Sequence, residues 1–186
     1  MASRDEIEGQ EYFFDEFVLP NYREFLADQL SVRKAYNAAI SIAHVPDHYT
    51  IGTGGSRGNV GNTKRRFRDA SRAFKVVEAM CNAIKHVETV KSDNPKAVRA
   101  TTTGLTPVDH QYVIWSGEVD GEMHDYRSDS DLLVFECSVD DRRESPPIGW
   151  LLYQAMRFVA RELNLEYRLG PRDQPDQLRM RYRPSG

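Results

Sequence analysis

Two groups of polar residues able to move protons, ligate metals or form hydrogen bonds interrupt stretches of helical apolar period. They are Asn37, His44, Asp47 and His48, then Asn82, Lys85 and His86. Such side chains are costly to bury alone, so each group must pair internally or act on something. In the second group His86 could serve as a base with Lys85 stabilising an anionic transition state, while Lys85 and Asn82 could equally cap helices or bridge polar groups between them. His44, Asp47 and His48, joined by His86, offer nitrogen and oxygen ligands suited to zinc or iron. The chain has no HExxH, no Glu-x-x-His pair and no thiolate cluster, and Pro46 disturbs the first helix. The expectation is therefore no metal and no other cofactor, with His44 bonded to Asp47 or a backbone carbonyl. No nucleophile elbow occurs, and neither Cys81 nor Cys137 has a nucleophile signature around it.

The other candidate surface is electrostatic. A long helix is expected from about 64 to 87, with Phe67, Ala70, Phe74, Val77, Cys81 and Ile84 on one stripe. Arg65, Arg68, Arg72 and Lys75 project on the opposite side, with Asn82 and His86 near their continuation. Between Arg57 and Lys75 there are seven Lys or Arg residues and one acid, Asp69. Such a ridge could contact several phosphates of RNA, with Arg57 and Arg66 nearby. It could equally stay solvated, or pair with the acidic N-terminus and Asp140-Asp141.

The elements that must position these residues follow from period and punctuation. Apolar residues from Glu11 to Leu30 recur at helical steps, with Pro20 dividing or kinking the segment. Ser31 caps a helix from Val32, with Tyr36, Ala39, Ile40 and Ala43 inward, which Pro46 stops or bends. Residues 52–63 hold five of the twelve glycines and read as an exposed flexible loop. They fit neither a P-loop nor a dinucleotide fingerprint, since Gly61 is followed by Asn62 and Thr63. After a polar stretch, 90–106, alternation in 110–119, the Asp120-Gly121 turn signal and the run 131–139 predict two or three antiparallel strands. A C-terminal helix is expected over 148–163, after Pro146 and Pro147.

The predicted class is mainly α with a small antiparallel β element: a helical bundle, a hairpin or three-stranded meander, and a C-terminal helix. At 186 residues the chain suits one compact α+β domain, 1–170, with a loose tail, 171–186. Apolar residues make up 40%, charged residues 28%, and mean hydropathy is −0.61, a globular balance. A net charge of −3 gives no overall attraction to polyanions, so RNA contact would have to be local. The acidic N-terminus is unlike a secretory signal, no run approaches a membrane span, and two cysteines in apolar runs suit a reduced, cytoplasmic setting.

The runs Arg33-Lys34-Ala35-Tyr36-Asn37-Ala38-Ala39-Ile40-Ser41-Ile42-Ala43-His44 and Cys81-Asn82-Ala83-Ile84-Lys85-His86-Val87 resemble a set of small uncharacterised bacterial helical proteins. In layout, over residues about 11 to 90, the chain is similar to the HEPN superfamily. That resemblance implies a helical bundle of the toxin-antitoxin or phage-defence kind and, in active members, a metal-independent ribonuclease. Active members place an arginine a few residues ahead of the catalytic histidine, where this chain has Ala79, Met80 and Cys81. The resemblance therefore implies a non-enzymatic or weakly catalytic module that binds RNA or a partner protein, a second copy included. The enzymatic alternative is an RNA-cleaving site using His86, Lys85 and Asn82. A further alternative is a purely structural or regulatory interaction protein.

Overall fold

A computed structural model describes residues 4–86, 99–108, 114–119, 122–127, 131–139 and 142–175. The chain is mainly helical with a small three-stranded antiparallel sheet, the α+β class expected from its pattern. Helix α1 (Arg4–Phe13) leads through a π turn (Phe14–Val18) into α2 (Leu19–Leu26). The expected division at Pro20 thus takes the form of a widened turn just before it. The Leu19 N–H donates to the Phe14 carbonyl, and this wider turn accommodates a ring that would crowd an ordinary α-turn.

Ser31 caps α3 (Val32–Gly52), its hydroxyl oxygen accepting from the Lys34 N–H at 3.4 Å. The helix does not stop at Pro46 but continues to Gly52. Proline deletes one backbone bond, whereas burial of Ile42, Ala43, Val45 and Pro46 against neighbouring helices holds the turns on either side. The Thr50 hydroxyl donates to the Pro46 carbonyl at 2.7 Å. Helix α3 packs against α1 and α2. At one end the Gln10 side chain occupies the space a Cβ at Gly52 would fill, while Phe13 stacks on His48.

The glycine-rich stretch is mostly structured rather than a loop over all of 52–63. Gly54 takes a left-handed φ of +78°, and the Gly55 N–H donates to the Thr50 carbonyl at 2.8 Å. A 3₁₀ turn (Arg57–Asn59) leads into α4 (Val60–Ala70), which already contains Gly61. The single helix expected over 64–87 is two. Ser71, in extended conformation, ends α4 and starts α5 (Arg72–His86), its side chain accepting from the Phe74 N–H at 3.2 Å. This break resets the helical phase, so Ala70 and Ile84 of the expected apolar stripe face outward while Met80 and Ala83 are buried. Ile40 of α3 likewise faces outward.

Strands β1 (Arg99–Val108), β4 (Leu132–Val139) and β5 (Arg142–Glu144) form the sheet in the order β1-β4-β5. Strands β2 (Ile114–Val119) and β3 (Glu122–Arg127) form a separate hairpin. Its register pairs Val119 with Glu122, as a two-residue connection requires, and the signal Asp120-Gly121 lies outside the described residues. Strand β1 falls largely inside the stretch expected to be merely polar; it pairs with β4 across a bulge between Ala100 and Leu105.

Helix α6 (Ile148–Glu162) follows Pro147 and ends at Asn164, whose φ of 59° lets the Leu165 N–H return to the Ala160 carbonyl at 2.7 Å. One core unites all the helices from the π turn onward with β1 and β4, through Phe14, Tyr22, Phe74, Leu105, Phe135 and Leu152. The start of the expected loose tail is tied down; residues 176–186 lie outside the described residues. The fully buried Asp173 receives Arg23 through Nε at 2.6 Å and through a second guanidinium nitrogen at 3.1 Å. It also accepts the Gly170 N–H at 2.8 Å, while the Tyr22 hydroxyl donates to its carbonyl at 2.9 Å.

Burial alone would raise the Asp173 carboxyl, but the bonds from Arg23 and Gly170 outweigh it and hold its pKa below the ordinary value. A depressed folded pKa contributes stability that is present above the unfolded value and lost as pH falls through the folded one. Asp173→Asn should therefore cost about 1.5–3 kcal/mol at neutral pH. The deficit should shrink as pH falls below about 4, which denaturant unfolding of both proteins across that range would measure.

Candidate functional site

The first polar group gathers on the outward side of α3. Because the helix continues through Pro46, His44 and Asp47 stand one turn apart, with His44 Nδ1 2.8 Å from Asp47 Oδ2. Helix α4 adds a cation: Lys64 Nζ is 3.0 Å from Asp47 Oδ1, an ion pair linking the two helices. A neutral imidazole donating from Nδ1 to this carboxylate carries its lone pair on Nε2, the nitrogen turned away from Asp47. The His44 side chain is 44% exposed.

His48 departs from this pair. Its ring lies flat on Phe13, with centroids 3.7 Å apart and planes at 12°, and Phe13 in turn stacks on Phe17 at 5.4 Å. Tyr12 meets Phe17 edge-on at 6.4 Å. Burial holds the His48 pKa below its ordinary value, with Asp47 opposing and His44 adding to the depression. Asn37 contributes its backbone carbonyl, which accepts from the Ser41 hydroxyl at 3.0 Å.

Sequence period assigns Phe13, Phe14 and Phe17 alike to the core, but the π turn adds a residue to one turn and rotates Phe17 outward. Tyr12 is 62% and Phe17 47% exposed. On the neighbouring α3 stripe, Ile40 is 37% and Ile51 46% exposed, flanking His44 at helical spacing. The resulting face carries aromatic rings along one side and His44, Asp47 and Lys64 along the other. Neither Tyr12 nor Ile51 nor Lys64 was legible as a site residue, because the phase of the π turn and the path of α4 are tertiary facts.

The basic ridge does not survive as one surface. Arg68 pairs with Glu78 at 3.1 Å, Arg72 pairs with Glu144 of β5, and Arg66 pairs with Glu162 of α6 at 3.1 Å. Arg66 also lies over Tyr49 and Phe67, 5.1 and 5.0 Å from their ring centres. These arginines join α4 and α5 to each other, to β5 and to α6. Arg65 is the freest, 79% exposed and 3.9 Å from Asp69. Lys75 has no ion pair among the described residues, and Arg57 is exposed in its 3₁₀ turn. Of the acids near the N-terminus, Glu11 and Asp15 take Arg168, at 3.6 and 3.1 Å, rather than the ridge. Asp140-Asp141 lies outside the described residues.

The second polar group sits at the C-terminal end of α5, where Asn82 is half-buried. The side chains of Lys85 and His86 lie outside the described residues. Backbone placement still separates the two groups. Phe74 reaches toward Tyr49 through Phe67, while burial and the neighbouring Cys81 thiol raise the Tyr36 phenol, so α5 runs antiparallel to α3. At about 1.5 Å per residue, this register sets His44 and His86 roughly 20 Å apart along the helix axes.

Among the described residues no three His, Cys, Asp or Glu side chains converge as a metal site, so His44, Asp47 and His48 do not form the ligand set considered from sequence. Both cysteines are buried, and burial pushes the Cys137 thiol up to about 12, with Glu144 adding to the effect and Arg72 opposing it. A thiol so placed is no nucleophile at neutral pH. Among the described residues no helix is long and apolar enough to cross a membrane. No protein-family model, curated protein or solved structure matches the chain.

Because Glu78 is nearly buried, truncating its arginine strands a carboxylate. Arg68→Ala should cost about 1–3 kcal/mol, read by thermal or denaturant unfolding. Arg65→Ala, lacking such a partner, should leave stability within about 0.5 kcal/mol.

Proposed function

We propose that this chain is a HEPN-like helical module that acts by binding a partner protein through the outer face of the π turn and α3, without catalysing a reaction. The observation carrying this reading is the exposure, on adjoining stripes, of Tyr12, Phe17, Ile40 and Ile51 beside half-buried Phe13 and the stacked His48. Clustered large apolar side chains with polar groups beside them are what partner-binding surfaces present, and aromatic residues dominate their energetics. The charge distribution argues in the same direction. Arg66, Arg68 and Arg72 are engaged by carboxylates of this chain, which leaves Arg57, Arg65 and Lys75 for phosphates. Glu16 and Glu24 are exposed along the π turn and α2, unfavourable company for a polyanion.

RNA binding by Arg57, Arg65 and Lys75 is the second reading, favoured by their exposure or lack of a close partner. It predicts a shallow salt dependence, a slope of log K against log salt near about −2 for single strands.

In affinity capture from its native cells, the protein should retain a protein partner after ribonuclease treatment. Phe17→Asp should weaken that complex by about 30-fold or more, consistent with loss of a central aromatic anchor, without lowering the melting temperature of the free protein. Loss of the complex on ribonuclease treatment, or equal affinity of the Phe17→Asp protein, would overturn the reading in favour of RNA or of another face.

A further inference from the structure

We propose that His44 and His48 together chelate a divalent transition-metal ion on the outer face of α3, with Asp47 behind the first imidazole as its orienting carboxylate. A four-ligand set was the version open to sequence reasoning, and geometry removes two of its members. Asp47 is engaged by His44 and Lys64, and His86 belongs to the far end of the bundle. What remains is a pair of imidazoles four residues apart on one uninterrupted helix.

Residues at that spacing have Cβ atoms about 6 Å apart, a separation that two imidazoles can bridge by meeting one ion at about 2.0–2.1 Å each. Each ring is already prepared. The 2.8 Å contact from His44 Nδ1 to Asp47 directs the Nε2 lone pair away from the carboxylate, the carboxylate–histidine arrangement that backs metal ligands generally. Stacking on Phe13 fixes the plane of His48, and among the described residues no hydrogen bond occupies either of its ring nitrogens. The His44 side chain is 44% exposed, so water can fill the remaining coordination positions.

Imidazole nitrogens as ligands favour copper, nickel and zinc over magnesium and calcium, which require oxygen ligands. Lys64 opposes the ion through charge but does not compete for either imidazole. The inference does not depend on a protein partner, because the ligands and their support all belong to this chain.

Isothermal titration of the native protein with nickel(II) chloride and zinc(II) chloride should show one saturable site. The site should be absent with magnesium chloride and lost in His48→Ala and in His44→Ala. Asp47→Asn should weaken it about 10- to 100-fold, the usual cost of removing such a carboxylate. Lys64→Gln should not weaken it. Should a histidine variant fold poorly, nuclear magnetic resonance of the native chain keeps the idea exposed to failure. Substoichiometric nickel should broaden the ring signals of His44 and His48 before those of His86, His110 and His124. Absence of a saturable site, its survival in the His44→Ala/His48→Ala double variant, or earlier broadening of the other histidines would overturn the proposal.

Discussion

The continuity of α3 through Pro46 is the constraint on which the rest of the molecule depends. This helix packs against α1, α2, α4, α5 and α6, so a break at Pro46 would divide the core as well as the element. A proline in a helix interior costs about 3 kcal/mol when isolated, whereas fully burying a single side chain such as Ile42 or Val45 returns about 1.5–3 kcal/mol. Several buried side chains before and after Pro46 therefore outweigh the lost hydrogen bond. Continuity then decides the chemistry: only on an unbroken helix do His44, Asp47 and His48 share one side.

Charge in this chain mainly brackets elements together. Arg23–Asp173 joins α2 to the segment after α6, Arg66–Glu162 joins α4 to α6, Arg68–Glu78 spans the Ser71 break, and Arg72–Glu144 reaches the sheet. These pairs differ in weight. Asp173 is fully buried and bound twice by Arg23, so breaking it strands a desolvated charge; the Arg65–Asp69 pair, exposed on both sides, is worth little. A run of basic residues in sequence was therefore a poor guide to a basic surface. The acids that meet it come from α5, α6 and β5, brought close only by folding.

What could be read from the sequence was what depends on local period and on caps. The Ser31 cap, the helix after Pro147 and the β4 run are local signals, and each sits where local physics puts it. The misreadings share a cause. Ser71 is one residue inside a strong helical period, and its capping bond to Phe74 becomes decisive only because Phe67 and Phe74 must both turn inward to meet Phe158. The π turn shifts phase by a single residue, enough to convert Phe17 from core to surface. β1 has threonines where apolar alternation was sought, and its partner β4 lies far along the chain. Of the candidate site residues, His44 had Asp47 as one of two partners open to it, because Pro46 left the helix geometry unfixed, while Lys64 and the Phe13 stack required knowledge of which helices touch.

The two polar groups thus part company for a geometrical reason. Antiparallel packing of α3 on α5 sends His44 and His86 toward opposite ends of the bundle, so a single centre using both is unavailable at helix dimensions. His44 instead has its companions on α3, α4 and the π turn. Asp47 orients its ring, Lys64 balances Asp47, and the aromatic stack holds His48 one turn away. Polar groups buried merely to bridge helices would be enclosed and saturated, whereas His44 is 44% exposed with one ring nitrogen unengaged by Asp47. Order imposed on a solvent-facing imidazole does little for the core, and a ligand meeting that imidazole would find its orientation already set.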